Sequence, residues 1–265
     1  MPIAIITGSG TYSLPGFESA DPELVTTDWG DAIVTRGVFA GTDMLHVSRH
    51  GEGHRRLSNV VTHRANIDAL VQLGADAVIA VTVCGAVDPE VELGSVTCFG
   101  DLHFLANRLG DGELCTFYSE AGDRRRGHWI FEGPFSEPLR GALLEGAREA
   151  GIEVHDGGVY GHVDGPRFNT RAEIRGLAAC GVTHVSQTGG PEAVLCGEAE
   201  LPYALLGYAT DYANGVQDEP TPVETLLDMM AASAETFATL LRAAVPRAAA
   251  ADLAPAGTVY RFEGG

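Results

Sequence analysis

Short apolar runs rich in β-branched residues alternate along the chain with longer stretches in which apolar residues recur every three or four positions. The short runs predict β-strands, and the longer periodic stretches predict amphipathic helices. The predicted strands are 3–7, 32–38, 43–48, 76–83, 94–99, 152–162, 183–187 and 203–209, and the predicted helices include 57–73, 137–150 and 221–241. Strands that alternate with helices are typical of an α/β fold, so we expect one domain with a mixed central β-sheet flanked by helices.

The C-terminal part of this pattern indicates where the domain ends. A periodic stretch begins near Thr221, where a glutamate three positions later completes a capping-box sequence, and a second such sequence begins at Thr170. The periodicity ends before Pro246, and alanine predominates in the next few residues. We therefore predict a domain of residues 1–246 and a C-terminal tail of residues 247–265.

The composition narrows the classes of partner and reaction. A formal net charge of −19 at pH 7 argues against nucleic acid, which needs a basic surface. All 17 basic residues are arginine, so a lysine Schiff base and the P-loop lysine are excluded. The five cysteines form no C-x-x-C pair, and we expect neither disulfides nor a metal site. The chain has no run of about 18 apolar residues and no basic leader, so we expect a cytoplasmic protein without membrane contact.

The first predicted strand ends in Gly-Ser-Gly, residues 8–10. A dinucleotide-binding fingerprint would require a third glycine where the chain has Ser13, and Pro15 interrupts the helix that should follow. The same loop could form an anion-binding nest from its backbone N–H groups and the Ser9 hydroxyl, or it could be a plain turn.

A second loop, SRHGEGHRR at residues 48–56, follows a predicted strand and precedes a predicted helix. Arg49 offers a planar fork for two anion oxygens, and His50 offers a further donor. In a chain with 36 acidic residues, Arg49 could instead form a surface ion pair. His54 is either a ligand or a solvated loop histidine.

Two more strand ends carry hydroxyl groups. Thr82 lies near the end of the strand in VTVCGAV, and Thr188 lies where SQTGGPE passes from a strand into a helix. Cys84 is interpreted as an inert buried thiol, because no base is paired with it in the sequence. Together with the first two loops, these hydroxyls point to one tetrahedral oxyanion, for which inorganic phosphate is the simplest hypothesis.

The stretches GPRFNTRAE and ATDYANG, at 165–173 and 209–215, indicate a second ligand. Phe168 could stack on a flat ring or pack against the first turn of the next helix. Asp211 ends a predicted strand at the rim of the sheet. A partly apolar pocket there would raise the pKa of its carboxyl and suit it to act as a general acid, whereas the alternative is an Asx turn.

In order and spacing, the motifs GSG, SRHG, VCG, GPRF, T-x-x-PE and ATDY resemble those of the methylthioadenosine phosphorylase branch of the purine nucleoside phosphorylases. The resemblance covers residues 3–241. It implies a nucleoside phosphorylase-like α/β domain that forms a homotrimer or a multiple of it. Such enzymes use inorganic phosphate to convert a purine nucleoside into the free base and a ribose 1-phosphate. The resemblance implies phosphate as a co-substrate and no cofactor or metal.

The resemblance also implies roles for individual residues. The implied phosphate ligands are Ser9, Arg49, His50, Thr82, the Val83 backbone and Thr188. The implied nucleoside-binding residues are His54, His128, Phe168, Asn169, Gln187, Asp211, Ala213 and Val223. Asp211 would be the acid that relieves negative charge developing on the purine. His54 and His128 would lie near the 5′ substituent, with His128 serving the neighbouring subunit.

Three positions depart from the family pattern. Ala213 replaces a second aspartate usual in members that take 6-amino purines, while 6-oxo-selective relatives usually have asparagine where this chain has Asp211. Gln187 replaces a methionine under the ribose, and Asn169 replaces a serine. Because a carboxylate can accept a hydrogen bond from an N6 amino group, we expect a 5′-modified adenosine such as 5′-methylthioadenosine as substrate. A phosphorylase of inosine or methylthioinosine and a non-catalytic nucleoside-binding protein are the alternatives.

Overall fold

The computed structural model describes residues 2–11, 14, 16–19, 21–123 and 125–262. The strands are β1 (Ile3–Thr7), β2 (Glu18–Ser19), β3 (Glu23–Thr27), β4 (Gly30–Phe39), β5 (Thr42–Ser48), β6 (Ala77–Ala86), β7 (Val96–Cys98), β8 (Asp101–His103), β9 (His128–Ile130), β10 (Val154–Asp156), β11 (Val159–His162), β12 (His184–Ser186), β13 (Tyr203–Tyr212) and β14 (Thr258–Tyr260). The helices are α1 (His63–Gln72), α2 (Glu137–Ala150), α3 (Arg171–Ala179), α4 (Gly189–Glu198) and α5 (Val223–Ala250), with short 3-10 turns at Glu52–His54 and Ser58–Val60.

Four parallel strands, in the order β13, β6, β1 and β5, form the middle of a large mixed sheet. β1 is buried along its whole length, as expected of a strand that is covered on both faces. Its successive side chains enter two different cores. Ile3 and Ile5 pack on the side of α2 and α5, whereas Ala4 and Ile6 pack on the side of α1 and α4. The predicted α/β fold with a mixed sheet is confirmed.

One edge of this sheet gathers the loops that later form the candidate site. Parallel strands end at the same edge, so the loops after β1, β5, β6 and β13 lie together. β12 adds to this edge from the opposite direction, because it pairs antiparallel with the last residues of β6, at Gly85 and Ala86. The start of α4, which directly follows β12, therefore reaches the same place.

Two predicted elements differ from the structure. The predicted strand 152–162 is divided into β10 and β11, which pair with different neighbours. Gly157 and Gly158 separate the two strands with φ of 114° and 80°, a backbone conformation that ends a regular strand. The predicted helix 57–73 begins only at His63, since the residues before it form the 3-10 turn at Ser58–Val60.

The C-terminal region continues further than the hydrophobic pattern indicated. α5 runs through Pro246 to Ala250, and β14 then pairs antiparallel with β9. The predicted boundary between residues 246 and 247 stays a prediction, and residues 263–265 lie outside the described part. Among the described residues, α5 included, no helix combines the length and apolar character needed to span a membrane.

The two predicted capping boxes have different outcomes. Thr170 forms one at the start of α3, where its hydroxyl accepts from the Glu173 backbone and the Glu173 carboxylate accepts from the Thr170 N–H. Thr221 does not cap α5, which begins after Pro222. Its hydroxyl accepts instead from the Tyr212 backbone N–H at 3.0 Å, which ties the start of α5 to the end of β13.

The contact between α2 and α5 leaves no space for a side chain at Gly146. A Cβ added there would lie 2.5 Å from the Ala244 Cα atom. We expect Gly146→Ala to lower the free energy of unfolding by about 2 kcal/mol, because one helix must move away from the other. Urea denaturation measures the loss.

Gly141→Ala, on the same helix, is the matched control. No atom lies within 4 Å of the added Cβ, so its better helix propensity should raise stability by up to about 1 kcal/mol. Equal effects of the two substitutions would contradict this description of the helix contact.

Candidate active site

A cavity of about 260 Å³ opens where the strand ends and α4 meet. Most of the predicted site residues line it, namely Ser9, His50, His54, Thr82, Val83, Phe168, Asn169, Gln187, Thr188, Asp211 and Ala213. These residues come from loops far apart in the sequence. The fold brings them together because the strands that carry them end at one edge of the sheet.

One end of the cavity is rich in hydroxyl groups. Ser9 follows β1, Thr82 lies near the end of β6, and Thr188 is the residue before α4. Pairing between β1 and β6 ends at Ala80, so the later residues of β6 face the Gly-Ser-Gly loop without a β1 partner. The N–H groups of Thr188 and Gly189 both donate to the Tyr160 hydroxyl, at 3.4 and 2.9 Å. Thr188 therefore contributes its side chain.

Arg49 does not reach this cavity. Its guanidinium is fully buried and forms two hydrogen bonds with the Glu192 carboxylate, from Nε at 2.7 Å and from Nη2 at 3.0 Å. Nη1 donates to the Val81 carbonyl at 2.8 Å. The alternative of a surface ion pair is wrong, because the pair lies in the interior, whereas direct binding of the anion by Arg49 stays a prediction. The Tyr203 hydroxyl donates to the same carboxylate at 3.2 Å.

The glycines of the Gly-Ser-Gly loop are explained by this packing. A Cβ on Gly8 would lie 2.3 Å from the Arg49 Nη1 atom, so the chain can pass over the guanidinium only without a side chain there. Gly10 has φ of 79°, and a Cβ on it would lie 2.6 Å from the Met230 carbonyl oxygen. The loop is therefore shaped by the close approach of a buried arginine on one side and of α5 on the other.

His50 is fixed in one tautomer. Its Nδ1 lies 2.8 Å from the Arg56 carbonyl oxygen, which can only accept, so Nδ1 carries the proton. Burial and the nearby Arg49 charge lower the pKa of His50 to about 4, and Nε2 is therefore unprotonated at neutral pH. In this structure Nε2 can therefore accept but not donate, and the role of His50 at the anion stays a prediction. The His54 ring stacks on it with centroids 4.3 Å apart.

Asp211 lies beside Gly85, three residues beyond Thr82 along β6, where the pairing of β13 with β6 shifts by one residue. The extra residue, Thr210, donates from its hydroxyl to Asp211 Oδ1 at 2.8 Å. A bulge of this kind changes the direction of the next side chain. Burial raises the pKa of the Asp211 carboxyl above its usual value, because the charged form loses hydration. Asp211 is thus a desolvated carboxyl at the cavity wall, as a general acid requires.

The wall near Asp211 is mostly apolar. Ala213 is 8% exposed and packs with the side chains of Val87 and Ile174. Phe168 is 62% exposed, so the chain leaves its ring uncovered and available to a flat ligand. The amide of Asn214 donates to the Asn169 carbonyl at 2.7 Å and fixes the loop that carries Phe168.

Besides Arg49, two more predicted residues lie outside the cavity wall. His128 is exposed on β9, where its ring contacts the ring of Phe262 at a centroid distance of 5.5 Å. Val223 is 70% exposed at the start of α5, and Leu226 and Met230, further along the same helix, line the cavity instead. The nucleoside contacts predicted for His128 and Val223 stay predictions.

Three hydroxyl-bearing residues of the cavity, Ser58, Ser186 and Thr210, were missed by the sequence analysis. Ser186 donates to the Val83 carbonyl at 2.8 Å, and Thr210 donates to Asp211. Both residues adjoin a predicted site residue in the sequence, and this adjacency could have identified them. Ser58 donates to the side-chain oxygen of Gln187 at 2.7 Å. It fell inside a predicted helix, where nothing distinguished it from other surface polar residues.

Residues 2–246 match the sequence model of the phosphorylase superfamily. The chain belongs to this superfamily. It is 34% identical to the 6-oxopurine nucleoside phosphorylase of Pyrococcus furiosus, over 92% of each chain. It is 36% identical to the S-methyl-5′-thioadenosine phosphorylase of Geobacter sulfurreducens, over 79% of this chain and 72% of that one. The structure of the Schistosoma mansoni methylthioadenosine phosphorylase in complex with adenine superimposes on this phosphorylase with a TM-score of 0.85 and 27% identity, covering 95% and 93% of the two chains.

The buried ion pair of this phosphorylase gives a stability prediction. Glu192→Gln keeps the shape of the side chain but leaves the Arg49 charge in the interior without its counter-ion. We expect the free energy of unfolding to fall by about 3–5 kcal/mol in urea denaturation at pH 7.

The matched control for this substitution is Glu149→Gln. Glu149 pairs with Arg247 at the surface, where water screens both charges. This substitution should leave the free energy of unfolding almost unchanged. If Glu192→Gln lowered the free energy of unfolding no more than Glu149→Gln does, the interior pair would not stabilise the fold as its burial indicates.

Proposed function

We propose that this phosphorylase uses inorganic phosphate to cleave the N-glycosidic bond of a purine nucleoside, with a 5′-modified adenosine such as 5′-methylthioadenosine as the substrate. One observation carries the proposal. A single cavity joins a hydroxyl-rich end, with Ser9, Thr82 and Thr188, to a desolvated carboxyl at Asp211. The hydroxyl-rich end suits an oxyanion, and the Asp211 carboxyl suits a purine that must be protonated as it leaves. The products are the free purine and a 5-modified ribose 1-phosphate.

The chemistry needs little from the protein beyond positioning and charge. As the C1′–N9 bond breaks, positive charge develops on the sugar and negative charge on the purine. Phosphate held at the hydroxyl end attacks C1′ and offsets the positive charge, while a protonated Asp211 donates towards N7 and relieves the negative charge. One C–N bond is exchanged for one C–O bond, so no covalent enzyme intermediate and no cofactor is required.

Neutral groups dominate the proposed phosphate site. The hydroxyls of Ser9, Thr82 and Thr188 can donate to phosphate oxygens, whereas Nε2 of His50 can accept from a protonated one. Arg49 lies beneath the Gly-Ser-Gly loop and supports it, and the Glu192 carboxylate largely balances its charge. The site therefore suits an oxyanion that still carries a proton.

The 5′ substituent is proposed from the apolar side chains of the cavity. Leu57, Leu226 and Met230 line it, and the backbone of Met230 passes close to Gly10, so α5 brings this apolar wall beside the loop proposed to hold phosphate. An apolar group such as methylthio would be removed from water there, whereas a 5′ hydroxyl would lose water contacts.

The 6-amino preference is proposed from Asp211, whose carboxyl can accept from an N6 amino group. The alternative, a 6-oxopurine nucleoside, is favoured by the apolar surface at Ala213, which offers no second acceptor for the amino group. The relative from Pyrococcus furiosus named above supports the same alternative.

We further propose a cytoplasmic homotrimer, or a multiple of it. Apolar side chains remain exposed around His128, on the small sheet of β9 and β14, including Ile130, Phe131 and Tyr260. A second subunit that covered this surface would bury them and bring His128 towards a neighbouring site. Light scattering coupled to size-exclusion chromatography measures the subunit number, and a monomer would remove His128 from the site.

Four nucleosides distinguish the possible substrates: adenosine, 5′-methylthioadenosine, inosine and 5′-methylthioinosine. Release of free base at saturating phosphate should give the highest kcat/KM with 5′-methylthioadenosine, about tenfold or more above 5′-methylthioinosine, because the 6-oxo group leaves one hydrogen bond unmade. The reverse order would identify a 6-oxopurine nucleoside phosphorylase. Binding of all four without release of base would identify a nucleoside-binding protein.

Asp211→Asn tests the proposed acid. We expect kcat to fall by about a hundredfold or more, since the amide cannot deliver a proton. In the parent, kcat should decline as pH rises through the raised pKa of Asp211, and the variant should lack this decline. If kcat and its pH profile were the same in both proteins, Asp211 would not be the acid.

The same variant separates catalysis from folding. Because burial raises the pKa of Asp211 above its value in the unfolded chain, the free energy of unfolding falls as pH rises through the folded-state pKa. The neutral amide avoids this loss. Asp211→Asn should therefore be at least as stable as the parent at pH 8, and urea denaturation checks this expectation.

A further inference from the structure

The loop of residues 163–170, between β11 and α3, forms one wall of the cavity and carries Phe168. Its first residue is held by the sheet, since the Val163 N–H donates to the Ser186 carbonyl at 3.1 Å. Its last residue, Thr170, is held by the capping box of α3. The part between these two points is largely exposed, so the position of Phe168 depends on the side chains that hold the loop.

Gln187 holds this loop from the side of the cavity. Its Nε2 donates to the Arg167 carbonyl at 3.1 Å, and its Oε1 accepts from the Ser58 hydroxyl at 2.7 Å. A carbonyl can only accept, so the nitrogen of the amide must face Arg167 and the oxygen must face Ser58. Gln187 thereby joins the loop to the 3-10 turn that precedes α1.

The loop is shaped to receive this side chain. A Cβ on Gly165 would lie 2.0 Å from Gln187 Oε1 and 2.1 Å from the Ser58 hydroxyl oxygen. The close approach of three segments is therefore possible only with glycine at position 165. Methionine, which the family pattern has in place of Gln187, offers no N–H donor for the Arg167 carbonyl.

We propose that Gln187 is a positioning residue that holds the 163–170 loop in place, and that nucleoside affinity depends on it through Phe168 and not through contact with the sugar. The inference rests on the proposed function for its kinetic readout. Each polar end of the amide is bonded to protein, which fixes its orientation and leaves one N–H and one lone pair for any ribose hydroxyl. The hydrogen bonds of the Gln187 amide go to Arg167 and Ser58 and not to Ser9, Thr82 or Thr188, so phosphate binding should be little affected.

Gln187→Glu is the sharpest test, because it keeps the shape and an acceptor for Ser58 but removes the donor to Arg167. We expect KM for the nucleoside to rise about fivefold, as for one lost hydrogen bond, and about thirtyfold in Gln187→Met. In Gln187→Met, which adds no charge near Thr188, KM for phosphate should change less than about twofold. Amide hydrogen exchange in residues 164–169 should become faster in both variants. Gln72→Glu, on the remote surface of α1, is the matched control and should change neither measurement.

Comparison of ribonucleosides with 2′- and 3′-deoxynucleosides separates the two roles of Gln187. A positioning residue should affect all three substrates by the same factor. Loss of discrimination between them in Gln187→Met, with unchanged exchange in the loop, would overturn the proposal in favour of a sugar contact. Ser58→Ala, combined with Gln187→Met, should show non-additive effects on hydrogen exchange, and strict additivity would contradict the contact.

The hydrogen-exchange test of the loop does not depend on the proposed reaction. If the parent protein cleaved none of the nucleosides tested, the proposed function would fail, while hydrogen exchange would still report on the loop. Equal exchange rates of residues 164–169 in the parent and in Gln187→Glu would overturn the positioning role, whatever the catalytic result.

Discussion

The buried pair of Arg49 and Glu192 is the interaction on which the candidate site depends. It joins the end of β5 to the first turn of α4, and through the Val81 carbonyl it also joins β6. Such a pair is stable in the interior only when each charge is matched and the remaining polar atoms are bonded, as Tyr203 does for Glu192. The three segments that supply Thr82, Thr188 and the His50 loop are therefore fixed relative to one another by one set of bonds.

This arrangement separates two tasks that a single exposed arginine would combine. The interior pair provides rigidity, while neutral hydroxyls and the lone pair of His50 face the cavity. Rigid donors need no reorganisation when charge develops in a reaction, and this is the main way in which proteins stabilise such transition states. Asp211, in turn, is destabilised as an anion by the same dry surroundings that make it an effective acid. The site thus places stability and reactivity in different residues.

The fold was largely predictable from the sequence because its signals are local. A buried strand such as β1 is a continuous apolar run, and the capping box at Thr170 lies within four residues. The errors arose where local signals compete. Gly157 and Gly158 interrupt a run that is otherwise apolar enough for one strand, and Thr221 bonds to β13 instead of capping α5.

The site was predictable as a set of positions but not as a set of available atoms. Motifs identified which loops meet, and Ser9, Thr188 and Asp211 all line the cavity. Whether a side chain points into the cavity depends on partners far away in the chain: Glu192 is 143 residues from Arg49, and Gln187 is 129 residues from Ser58. No local pattern encodes such a bond. A polar residue in a motif therefore indicates a site. Its role depends on which other groups of the protein already form hydrogen bonds with it.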